Sequence, residues 1–146
     1  MQLSLVLLLS LLFNSNSIYV IYLRKCNYND EYMISRLQYQ YDIEHYPIYC
    51  NSNTNKFDLN NIEHMRINLE QDWGICEYDY KYEYINNYNK HNKLIEDIWY
   101  NYGSCTNMTM FEYYNKTLEL FYWYKHKFYD CVYNNFECKH IFNKLI

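Results

Sequence analysis

The chain has no alanine, one proline and two glycines in 146 residues. So little punctuation argues against an all-β sandwich, which needs a turn signal roughly every 8–12 residues. Two glycines cannot build a glycine-rich phosphate cradle, and no Gly-x-Ser-x-Gly elbow is present. Long runs of one charge are also missing: thirteen basic and seventeen acidic residues give a net charge of -4, mixed along the chain. Phosphate backbones call for a concentrated basic face and anionic membranes for a polybasic patch, so neither nucleic acid nor a membrane surface is an expected partner. The longest apolar run, Leu3 to Phe13, is too short to span a bilayer, and membrane insertion is not expected.

What the chain does have begins with that run. Leu3 to Phe13 followed by Asn14-Ser15-Asn16-Ser17 has the layout of a secretory signal, with small residues at both cleavage-determining positions, so residues 1–17 are read as a signal peptide. Residues 18–146 then make a single domain large enough for one core. All six cysteines, Cys26, Cys50, Cys76, Cys105, Cys131 and Cys138, follow the leader, and an even count in a small exported chain reads as three disulfides. Asn107 and Asn115 open sequons compatible with glycosylation during export. Twenty-one tyrosines are the strongest compositional bias. They can replace Phe and Leu in a core, or form an adhesive surface that keeps its hydroxyls for water or a partner.

The periodicity predicts an all-α fold: a disulfide-stapled bundle of four main helices and a short C-terminal one. Leu59, Ile62, Met65, Leu69, Trp73 and Cys76 are three or four apart behind a capping Asp58. Phe111, Tyr114, Leu118, Phe121, Phe128 and Val132 predict the longest helix, capped by Thr106 or Asn107. Met33, Leu37 and Tyr41 predict a helix capped by Asn29 or Asp30 and ended near Pro47. Leu94, Ile95, Ile98, Trp99 and Tyr102 predict another, stopped by a left-handed Gly103, with Tyr78 to Tyr84 as its early part and a short strand as the rival. Cys138, Ile141, Phe142 and Leu145 predict the short last helix.

In such an up-and-down bundle a cysteine pair cannot close across its own helix, because about 18 helical residues span roughly 27 Å and bonded Cα atoms lie within about 7 Å. Cys50 and Cys105 then share one end of the bundle and pair. At the other end Cys26 with Cys76 and Cys131 with Cys138 is the favoured arrangement, since Asn134-Asn135 can turn the chain.

No catalytic, cofactor or metal site is expected. His45 and His64 follow glutamates in similar contexts, but neither has the helical His pair of a zinc hydrolase, and His126 lies between two lysines. The thiols all have plausible partners, which removes a cysteine nucleophile.

Two six-cysteine or tyrosine-rich families invite comparison. Insect odorant-binding proteins keep their second and third cysteines close together, whereas Cys50 and Cys76 are far apart here. The chain resembles the BICYCLE family of aphid salivary effectors in its leader, size, tyrosine load and two cysteine-bounded segments. One is Cys26 to Cys50 with Tyr28, Tyr32, Tyr39, Tyr41, Tyr46 and Tyr49; the other is Cys105 to Cys131 with Tyr113, Tyr114, Tyr122, Tyr124 and Tyr129. That resemblance implies a secreted, non-enzymatic effector, delivered in saliva into a plant host, that binds an unknown host protein. The alternative expectation is a secreted helical carrier of a small hydrophobic ligand.

Overall fold

A computed structural model of the protein describes residues 18–25, 32–41, 45–50, 56–76, 79–125 and 137–142. The expected leader, Cys26 and Cys131 lie outside them, as do Phe128, Val132 and Leu145. The fold is α+β, which corrects the all-α expectation. Strands β1 (Ile18–Lys25), β2 (Tyr32–Gln40) and β3 (Glu137–Phe142) form an antiparallel sheet in the order β2-β1-β3. Helices α1 (Arg66–Asp72), α2 (Asn87–Asn101) and α3 (Met110–Tyr124) pack against it.

The helix predicted through Met33, Leu37 and Tyr41 is strand β2. A spacing of four is two pleats of a strand as well as about one turn of a helix, so that pattern could not separate the two. The β-branched and aromatic run of β1, Ile-Tyr-Val-Ile-Tyr-Leu, supplies the central partner, paired Ile18↔Gln40 through Lys25↔Tyr32 with an irregularity between Tyr22 and Leu23. The predicted C-terminal helix is β3, paired Tyr19↔Phe142 through Arg24↔Glu137. One face of β1 and β2 carries Ile21, Leu23, Ile34 and Leu37, all fully buried against the helices.

The helical half follows the sequence more closely. Asp58 caps a 3₁₀ turn, Leu59–Asn61, by accepting from the Asn60 amide; a second turn, Glu63–Met65, leads into α1. Ile62, Met65, Leu69, Trp73 and Cys76 are buried along this segment, and Leu59 packs against them half-buried. Helix α2 is capped by the Asn86 side chain and buries Leu94, Ile95, Ile98 and Trp99. Tyr78 lies outside the described residues, and the rest of the stretch to Tyr84 is not its early part: Tyr80–Tyr82 is a 3₁₀ turn and Tyr84 is exposed. Nor is Gly103 a left-handed stop. No described glycine has positive φ, and Gly103 opens a 3₁₀ turn where a Cβ would collide with the Trp99 ring and crowd Tyr113. Helix α3 is capped by Thr109 rather than Thr106 or Asn107, in a capping box with Glu112. Its buried face is Met110, Tyr113, Tyr114, Thr117, Leu118 and Phe121, which leaves Phe111 exposed.

Helices and sheet meet at an aromatic cluster. Trp73, Trp99, Tyr113 and Tyr114 are buried with ring centroids 5.1–6.1 Å apart in edge or tilted contacts. The Tyr113 hydroxyl donates to the Leu37 carbonyl at 2.7 Å and accepts from the Leu37 amide at 3.3 Å, and Trp73 Nε1 donates to the Ser35 carbonyl at 3.0 Å. Strand β2 is a sheet edge, and these side chains satisfy its outward backbone groups. On the β1 side, Arg24 forms a two-pronged ion pair with Asp79 (2.9 and 3.0 Å) and donates to the Gly74 carbonyl.

Cys50 and Cys105 are bonded, with Cα atoms 4.8 Å apart. That is the expected pair, although the up-and-down bundle from which it was reasoned does not exist. Cys76 is also disulfide-bonded, and no described cysteine is free.

Tyr113→Phe leaves both Leu37 backbone groups buried and unpaired, and should cost about 1–3 kcal/mol in urea unfolding. Trp73→Ala should cost about 3–5 kcal/mol. A loss near zero in both would remove the aromatic joint as the element that holds helices to sheet. The double change Cys50→Ser with Cys105→Ser opens a loop of sequence separation 55 and should lower stability by about 4 kcal/mol under the chain-entropy account, read as a shift of the denaturation midpoint.

Candidate functional site

An open cleft of about 370 Å³ is lined by Tyr49, Lys56, Asp97, Tyr100 and Asn101. The burial of Leu94, Ile95, Ile98 and Trp99 on one side of α2 turns Asp97, Tyr100 and Asn101 to the other, where they form one wall. The opposite wall is the segment carrying Tyr49 and Lys56. It is stitched to the end of α2 by the Cys50–Cys105 bond, by the Tyr49 amide donating to the Asn101 carbonyl at 3.3 Å, and by the Phe57 amide donating to the Tyr100 hydroxyl at 3.0 Å.

Tyr49 has φ 54°, the only described non-glycine residue in the left-handed region. A bulky residue there costs on the order of 1–3 kcal/mol, and such strain concentrates where a side chain must be aimed. The result is a tyrosine ring 66% exposed at the mouth of the cleft. Lys56 is exposed with no ion-pair partner among the described residues.

Asp97 is heavily occupied. It accepts from the Tyr82 hydroxyl at 2.7 Å and lies 3.5 Å from the Lys81 ammonium and 3.3 Å from that of Lys93. Burial, reinforced by the Asp97 carboxylate, pushes the Tyr82 hydroxyl far above its ordinary range, so it stays a donor. Hydrogen bonds to Glu96, with a further contribution from Asp97, raise the Lys93 ammonium and keep it charged.

The residues singled out from sequence lie elsewhere. His45 is exposed after β2; His64 is exposed with its ring 5.3 Å from that of Phe111. His126 is outside the described residues. Asn107 is exposed before α3, and Asn115 sits half-buried on α3 donating to Glu119. No group of three metal-ligating side chains occurs among the described residues, and no described helix is long and apolar enough to cross a membrane. A small space between Leu59, Ile62, Leu69, His91 and Ile95 holds about 10 Å³, room for one water at most. The cleft residues come from positions 49, 56, 97, 100 and 101, so no local motif announced them. The one available signal was the disulfide that brings the two segments together.

His91 escaped notice in the sequence and is structural. Its Nε2 lies 3.2 Å from the Leu69 carbonyl and 3.0 Å from the Trp73 carbonyl, and closes the end of α1. Burial holds its pKa below the ordinary value despite those carbonyls. A histidine depressed in the fold takes up its proton first in the unfolded chain. Its stabilisation is therefore complete above about pH 6.5 and is lost as pH falls from there towards the folded value. Thermal midpoints should drop between neutral pH and pH 5.5 more for the wild type than for His91→Gln, which keeps a donor and cannot titrate.

No protein-family model matches the sequence, and no curated protein does. Solved structures do match in shape. A structure of RNase NT in complex with 5'-AMP aligns with TM-score 0.55 and 15% identity over 72% of this chain and 55% of that one. An RNase-related protein from Calystegia sepium aligns with TM-score 0.55 and 18% identity over 76% of this chain and 61% of that one. Trichomaglin, described as an S-like ribonuclease, aligns with TM-score 0.55 and 20% identity over 82% and 68%. The chain thus spans little more than half to two thirds of these proteins' lengths. The likeness is one of fold, and that fold carries ribonucleases. It overturns the expectation of a non-enzymatic helical effector, as well as that of a helical carrier.

Proposed function

We propose a ribonuclease-like function, centred on the cleft lined by Tyr49, Lys56, Asp97, Tyr100 and Asn101: it takes up single-stranded RNA by its nucleotide units. The observation that carries this is the convergence in one cleft of the exposed Tyr49 ring, the half-buried Tyr100 ring and a Lys56 ammonium with no ion-pair partner among the described residues, on a fold shared with a ribonuclease that holds 5'-AMP. Tyr49 and Tyr100 offer faces on which a base can stack, and Lys56 offers the charge a phosphate needs. A net charge of -4 disfavours a duplex-tracking surface, but it is an average, and a cleft for one or two nucleotides needs only a local cation. The leader at residues 1–17 and the Cys50–Cys105 bond support an exported protein.

The same geometry sets the chemistry. Cleavage of RNA by its own 2'-hydroxyl needs a base for that hydroxyl and an acid for the leaving oxygen, each contributing about 10²–10⁴-fold. No histidine lines the cleft among the described residues, and the Asp97 lone pairs are taken by Tyr82 and two lysines. Nucleotide binding is the direct test of the cleft. In fluorescence titrations with adenosine 5'-monophosphate, Tyr49→Ala should weaken binding by about 1–3 kcal/mol, the range of one base–aromatic stack, and Lys56→Ala several-fold. No saturable nucleotide binding, or binding indifferent to both substitutions, would sink the proposal.

A further inference from the structure

Lys81 and Lys93 approach the same Asp97 carboxylate from two elements, the Tyr80–Tyr82 turn and the preceding turn of α2. Two ammoniums thus flank one carboxylate that also binds Tyr82, and Lys56 lines the same cleft as Asp97. Glu96 shares Lys93, at 3.0 Å, and is the other acid at this edge. On a chain with more acids than bases, this is a local surplus of positive charge, and Lys81 and Lys93 are 63% and 45% exposed.

From this arrangement, and resting on the reading of the cleft above, we infer that the binding track continues from Lys56 past Asp97 to Lys81 and Lys93, and that the ligand is a short single-stranded oligonucleotide rather than a mononucleotide. Lys93, Asp97 and Asn101 are successive fourth residues on one face of α2 and cover roughly 12 Å of helix, too long for a single phosphate. Asp97 acts as the organiser. It holds two like charges side by side, which would otherwise repel, with their exposed ammoniums at the surface. The fixing of the Lys81 turn supports this role: Asp79, bonded by Arg24, also accepts from the Cys76 amide and anchors the start of that turn. Lys81 is thus delivered to Asp97 from a braced loop.

The test compares adenosine monophosphate, a single-stranded RNA trinucleotide and inorganic tripolyphosphate, each titrated over a range of salt, on wild type and on the double variant Lys81→Ala with Lys93→Ala. The trinucleotide should bind wild type about tenfold more tightly than the mononucleotide and with a steeper salt dependence, since each neutralised phosphate of a single strand adds about -0.7 to the slope. The double variant should lose that tenfold, with a slope shallower by about 1.4, while keeping its mononucleotide affinity and its thermal midpoint. A trinucleotide no tighter than the mononucleotide, or a double variant that weakens both alike, overturns the extended track and leaves the cleft standing. Tripolyphosphate binding as tightly as the trinucleotide overturns it too, because the bases would then contribute nothing. Failure of every ligand to bind removes the cleft reading, and this inference falls with it.

Discussion

The hydroxyl of Tyr113 is the joint on which the rest of the molecule depends. An edge strand with open backbone groups cannot be buried under helices without a donor and an acceptor at the right height, and a hydroxyl supplies both. Tyr113 meets the amide and the carbonyl of Leu37 together, while Trp73 meets the next outward carbonyl, that of Ser35. The tyrosine excess thereby has a structural use that phenylalanine could not serve. Tyr114 repeats it by donating to the Ile95 carbonyl, which ties α3 to α2.

From that joint the cleft follows in steps. Helix α3 fixes α2 through Tyr114 and through the Trp99–Tyr113 contact, and Gly103 allows the chain to turn tightly against the Trp99 ring. With its apolar side held, α2 has one face left, and that face bears Lys93, Asp97, Tyr100 and Asn101. The disulfide then holds Tyr49 and Cys50 against the end of the same helix. From β1, Arg24 grips Asp79 and so positions the turn whose Lys81 and Tyr82 reach Asp97.

A ribonuclease-like fold with this cleft separates two things that enzymes of RNA combine. Recognition needs rings and cations at the surface, and the cleft has Tyr49, Tyr100 and Lys56. Bond cleavage needs a base and an acid with free lone pairs and labile protons, whereas Asp97 is committed to holding its neighbours.

The helical stripes of Ile62 to Trp73, Leu94 to Trp99 and Tyr114 to Phe121 were legible in the sequence, because a 3.6-residue period over several turns has no rival interpretation. So was the Cys50–Cys105 proximity, although by way of an architecture that does not form. The sheet was not legible. Met33, Leu37 and Tyr41 fit both periods, β1 directly follows the expected leader, and the partner of β1 on its far side is more than a hundred residues away in β3. Strand identity there is decided by pairing, which is a long-range contact that no window of sequence contains. The site shares that dependence. The sequence by itself determined the residue stock, tyrosines with both ring and hydroxyl, scattered lysines and cysteines able to cross-link. Only the tertiary structure decided which tyrosines became core and which became cleft, because burial is set by what the rest of the chain lays over each ring.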